Sequence, residues 1–188
     1  ILDGADAVML SAETATGKHP TLVVETMRRI AAAAESRIAE RCTAPSPSSR
    51  LRTSRYRTAA LAHGAWHVAM DLGARLVVCW SQRGGTARYL SQTGLPLPII
   101  AYSSDEREVN RMALLRGVTP RFMPLPAHRP ATLAWFNTEV DMDLLELGWV
   151  EKDDPIVLVA GAPLGNQGTT NSLAVHYIAR PDSGFMSL

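Results

Sequence analysis

Hydrophobic positions follow two alternating patterns along most of this chain. Near-continuous apolar runs occur at Arg75–Trp80 (RLVVCW), Pro98–Tyr102 (PIIAY) and Pro155–Ala162 (PIVLVAGA). Runs apolar on both faces are strands covered from two sides. Between them lie stretches of helical period. Thr58–Leu72 predicts a helix stopped by Gly73. A second helix opens at the glycine turn SQRGGTA, from Ser81, and runs to Gln92. Ser103 and Glu106 have capping-box spacing for a third, ending near Gly117, and Ala131 to Leu147 predicts a fourth. Val118–Leu125 is a shorter strand, placed at a sheet edge because Pro120 and Pro124 cannot donate to a ladder. Ser172–Ala179 is the last strand. The connection Pro163–Asn171 is too short for a crossover helix, so this strand is expected to be antiparallel. Leu173, Val175 and Tyr177 alternate with Ser172, Ala174 and His176, as in an edge strand with one busier face.

The expected fold is a three-layer α/β/α domain with a mostly parallel five-stranded sheet of order 3-2-1-4-5. Ahead of it, Ala7–Leu10 is an apolar run expected to form a buried strand, and Ser11–His19 a loop. Pro20 suits the first turn of a helix. Val23, Met27, Ile30, Ala34 and Ile38 then form one apolar stripe, which needs a partner surface. Residues 43–57, rich in proline, serine and arginine, break the helical pattern and are expected to be an exposed linker. The expected division is therefore residues 1–42, a 43–57 linker, a domain at 58–180 and a 181–188 tail.

Composition narrows the partners. The chain has 188 residues, is 46% hydrophobic and 20% charged, and carries a net charge of +1. A core can form, and no strong field invites nucleic acid. Arg50, Arg52, Arg55 and Arg57 are grouped in the linker without an aromatic platform, which favours a solvated hinge. No apolar run approaches roughly 18 residues, so no membrane partner is expected. Cys42 and Cys79 form no metal-type spacing, which fits reduced thiols and a cytoplasmic location. The first residue is Ile1, and a piece of a longer chain is expected.

Two loops offer chemistry. In WSQRGGTARY, Gly84 and Gly85 free backbone amides, Ser81 and Thr86 add hydroxyls, and Arg83 adds a fixed charge, all between a strand and a helix. In GAPLGNQGTTNS, Gly165, Gly168, Thr169 and Thr170 repeat the theme. The first alone is equally a tight turn, and the second alone is more readily a plain hairpin-like connection. With strands one and four adjacent, both loops meet at the switch point, where open sheets bind ligands. Neither is a Walker or GxGxxG sequence. His63 and His67 share a helix face without a third ligand, and Asp141, Asp143, Glu146, Asp153 and Asp154 are taken as solvated charges.

The motif order then becomes diagnostic. LDGADAVMLSAETATGKHP closely resembles the segment of the pyruvate kinase family that forms the last strand of its catalytic barrel and the following loop. RLVVCWSQRGGTAR, LPIIAYSSDEREVNRMALLRGVTP and GAPLGNQGTTNSLAVH resemble blocks of that family's C-terminal domain. The resemblance implies that residues 1–42 are a barrel remnant and that the parent enzyme makes pyruvate and ATP in glycolysis with Mg²⁺ and K⁺. It implies no cofactor and no catalytic or metal residue within these 188, which contain no MVARGDLG-like stretch. A stand-alone phosphometabolite-binding domain without catalysis remains the alternative. By the same resemblance, Ser81, Arg83, Gly84, Gly85 and Thr86 cradle an effector's phosphate, and Gly165, Gly168 and Thr169 close over it. Trp80 stands where the family's first loop hydroxyl would be, which disfavours fructose 1,6-bisphosphate. A sugar monophosphate, a nucleotide monophosphate or no effector remain open. A homo-oligomer, dimer or tetramer, is also implied.

Overall fold

The computed structural model describes residues 1–2, 5–40 and 56–186, the side chains of 38–40 aside. The expected linker up to residue 55, Cys42 and the Ile38 side chain lie outside the described residues. The chain divides into two compact units, Ile1–Thr43 and Ala44–Leu188.

The first unit contains α1 (Ala12–Ala15) and α2 (Pro20–Glu40). The strand expected at Ala7–Leu10 does not form. A strand needs a neighbour's ladder to satisfy its backbone groups, and no described residue pairs with this run. Val8 and Met9 are exposed instead. The loop expected at Ser11–His19 contains the single turn α1, because Glu13 Oε2 accepts the Ser11 N–H at 3.0 Å and ties off its start. The α2 stripe is real but uncovered: Val23, Met27 and Ala34 are half-buried and Ile30 is exposed. With Val8, Leu10 and Leu22, part of that stripe lines an apolar groove.

In the second unit α3 (Arg57–Leu72) precedes β1 (Val77–Trp80), α4 (Gly85–Ser91), β2 (Ile99–Ser103), α5 (Glu106–Met112), β3 (Val118–Phe122), α6 (Leu133–Glu146), β4 (Pro155–Ala160) and β5 (Ser172–Tyr177). The five-stranded sheet has the order β3-β2-β1-β4-β5. Its first four strands are parallel, with Val77 opposite Ile99 and Val157, and β5 runs antiparallel to β4, with Val157 opposite Val175. The continuous apolar runs are explained by the two faces. Val77, Cys79, Ile99, Ala101, Val157 and Val159 point to α3, α4 and α5. Val78, Trp80, Ile100, Tyr102, Ile156 and Leu158 point to Phe136, Val140 and Leu144 of α6. Each fully buried Val, Leu or Ile contributes roughly 1.5–3 kcal/mol of transfer free energy. Ala62, Ala65 and Ala69 are the small residues that bring α3 against the sheet.

Arg57, assigned to the linker, begins α3. Gly73 stops that helix in a left-handed conformation (φ 64°). Ser103 is not the cap of α5, because it belongs to β2. Asp105 caps it, its side chain accepting the Arg107 N–H, and α5 ends at Met112, short of Gly117. Pro120 sits in the edge strand β3. The Met123 N–H donates to Ser103 O, so by period two Thr119 and Arg121 face β2 and the missing donor of Pro120 faces outward.

Candidate effector site

The switch point of the sheet, between β1 and β4, brings the two glycine loops together. Ser81, Arg83, Gly85, Thr86, Gly168 and Thr169 line one cavity of about 210 Å³, together with Trp80, Gln82 and Thr170. Two of the singled-out glycines do other work. Gly84 turns the chain at φ 70° with its backbone toward Met112, and Gly165, at φ 85°, leaves room for Leu125. Both shape the loops without lining the cavity.

Several contacts hold these loops in place. Thr86 Oγ1 and Thr170 Oγ1 are 2.8 Å apart and buried, joining one loop to the other. The Ser81 N–H donates to Tyr102 O, and Ser81 Oγ accepts the Ala87 N–H at 3.1 Å. The Thr169 hydroxyl donates to Asn166 O. Arg57 Nη2 donates to Gly168 O at 2.8 Å, fastening the start of α3 to the second loop. Gly161 is required for close approach: a Cβ there would lie 2.3 Å from the Thr169 carbonyl oxygen. The hydroxyls are thus already partnered inside the protein, and Arg83, exposed at the rim, is a cation of this lining with no ion-pair partner among the described residues. Trp80 directs its indole into the core against Trp135 and Phe136, while its Nε1–H donates to Gln82 Oε1 at 3.2 Å. That indole explains the missing hydroxyl: the position serves packing.

Polar groups dismissed from sequence prove to be structural. His176 on β5 is buried, its Nε2 2.8 Å from Asp141 Oδ1 and its Nδ1 3.0 Å from Ser183 Oγ. Asp141 also accepts the Ala179 N–H at 3.1 Å, so it is not a solvated charge. Ser183 Oγ accepts the Tyr177 N–H at 2.9 Å, which ties it into the turn after β5. The trio is a clamp joining β5, α6 and the C-terminal turn. Its sequence signal was the period-two inward position of His176. Asp143, also read as solvated, accepts the Tyr102 hydroxyl at 2.6 Å and a two-pronged contact from Arg121 at 2.6 and 2.7 Å. Burial, then that hydrogen bond, pushes the Tyr102 phenol far above its usual range, and Asp143 raises Arg121. Tyr102 sits one strand away from the cavity, with its backbone carbonyl anchoring Ser81.

Among the described residues no group of three or more His, Cys, Asp or Glu side chains is placed to hold a metal ion. No helix among the described residues is long and apolar enough to cross a membrane.

An open, doubly wound sheet with two loops converging at its switch point defines a three-layer α/β domain. Residues 59–176 match the family model described as pyruvate kinase, alpha/beta domain, and the chain belongs to the pyruvate kinase family. It is 35% identical over 182 residues to a pyruvate kinase of Mycobacterium intracellulare, covering 97% of this chain and 36% of that protein. It is 32% identical over 179 residues to one from Thermotoga maritima, covering 93% and 35%, and 34% identical over 178 residues to one from Staphylococcus epidermidis, covering 95% and 29%. The chain thus spans about a third of the length of these relatives.

Proposed function

We propose that this chain is the regulatory and assembling part of a pyruvate kinase, an enzyme that converts phosphoenolpyruvate and ADP to pyruvate and ATP. Its α/β domain binds a phosphorylated effector, a sugar monophosphate or nucleotide monophosphate, in the cavity between the two loops, and contributes to a homo-oligomer. The observation that carries this reading is the convergence of Arg83, Thr86, Gly168 and Thr169 on one cavity, with the loops joined through Thr86 and Thr170. The phosphate sits against Arg83 and the backbone amides that the glycines expose, since the hydroxyls are committed to the fold. The 188 residues alone do not turn over substrate, because they lack the MVARGDLG-like stretch that the family's chemistry uses. Titrating sugar phosphates and nucleotide monophosphates against thermal melting tests the site. A ligand at 100-fold its dissociation constant adds about 2.7 kcal/mol. The gain is expected to shrink in Arg83→Ala. A panel that leaves the melting temperature unmoved would sink the effector reading.

A further inference from the structure

On the outer side of the Ser81–Ala87 turn lies a second cavity, of about 220 Å³. Arg83, Gly84 and Arg88 line it from one wall, and Glu108, Arg111 and Met112 of α5 from the other. Arg111 Nη1 donates to Glu108 Oε1 at 2.6 Å, so this pair neutralises itself. Neither Arg83 nor Arg88 has an ion-pair partner among the described residues. Two guanidiniums without an ion-pair partner thus border one concavity, and an oxyanion held there would be attracted by both charges. The floor is firm: Met112 is buried, and the left-handed Gly84 (φ 70°) presses the turn against it, with Met112 Cγ 3.4 Å from where a Cβ would stand. Arg83 thus projects from a fixed corner, and planar guanidiniums match phosphate oxygens in two-pronged fashion.

We infer that this pocket is a second oxyanion site, holding a phosphate or phosphomonoester group between Arg83 and Arg88 with Arg111 at its rim. It does not rest on the effector reading of the loop cavity. Because Arg83 borders both cavities, a group bound in one competes with the other for the same guanidinium. The Glu108 carboxylate, held by Arg111, limits the site to ligands whose charge is met by Arg83 and Arg88.

Inorganic phosphate is titrated into the full chain by calorimetry at constant ionic strength balanced with chloride. Arg88→Gln is expected to weaken phosphate binding about tenfold, and Arg111→Gln a few-fold. No saturable phosphate binding, or equal competition by chloride, overturns the inference. So does unchanged affinity in the Arg83→Gln/Arg88→Gln double variant. Binding lost in Arg83→Gln but kept in Arg88→Gln puts the anion in the loop cavity alone, which overturns this site and leaves the proposed function standing. Melting temperatures within a few degrees of the parent establish that each variant is folded.

Discussion

Thr86 Oγ1 and Thr170 Oγ1 lie 2.8 Å apart in the interior, 84 positions apart in the chain, and join the two loops that face the candidate site. Removing one hydroxyl leaves the other buried without its partner. Thr86→Val or Thr170→Val is expected to destabilise by roughly 1–3 kcal/mol. The double variant is expected to cost less than the sum, because no orphaned hydroxyl remains. Chemical denaturation in a double-mutant cycle measures the difference; strict additivity would show that the two groups do not interact.

Glycine substitutions in the second loop should separate clash from backbone strain. At Gly161 a Cβ meets the Thr169 carbonyl oxygen at 2.3 Å, so Gly161→Ala must displace backbone. At Gly168 there is open space but φ is 69°, so Gly168→Ala costs only about 1–2 kcal/mol. The expected order of melting temperatures is parent, Gly168→Ala, then Gly161→Ala. The reverse order would contradict the close approach.

Alkaline pH should expose two buried protons. Burial pushes the Cys79 thiol far above its ordinary value, and Tyr102 is raised by burial and by Asp143. Folded, both stay protonated; unfolded, they ionise near about 8.5 and 10. Their contribution is therefore complete below about pH 8.5 and lost as pH rises, at up to about 1.4 kcal/mol per pH unit per group. Cys79→Ala should delay the onset to about pH 10, and Tyr102→Phe should flatten the steeper part. Stability curves with parallel slopes in parent and variants would refute this.

The clamp at the C-terminus gives a fourth expectation. His176→Phe keeps the ring but leaves Asp141 and Ser183 without it, and Gly184, whose Cβ position is 2.7 Å from His176 Nδ1, packs on the same ring. A loss of about 2–4 kcal/mol is expected. Hydrogen exchange should locate it in the turn through Phe185, which Asn137 also holds by contacts of 2.9 and 3.3 Å. Protection unchanged there would mean that the trio clamps nothing.

Sheet order and strand direction were legible because double burial writes itself as runs such as Val77–Trp80 and Ile156–Val159. The meeting of the two loops followed from that order alone. What could not be read was decided by partners distant in sequence. Ala7–Leu10 has a strand's composition but no ladder. Asp141 and Asp143 look like surface charges until His176, Tyr102 and Arg121 are brought across from other elements. Sequence marks Gly84 and Gly165 as phosphate-site residues, yet packing toward Met112 and Leu125 leaves both outside the cavity lining.

Pro120 has a consequence for how copies of this molecule can meet. One margin of the sheet carries a gap in its outward row of donors, so a foreign strand cannot zip along it without leaving a carbonyl unmatched. The opposite margin, at β5, is shut by the chain's own C-terminal turn, where the Gly184 N–H donates to Val175 O and Ser183 Oγ accepts the Tyr177 N–H. Neither rim of the layer therefore offers an unbroken ladder to a second copy.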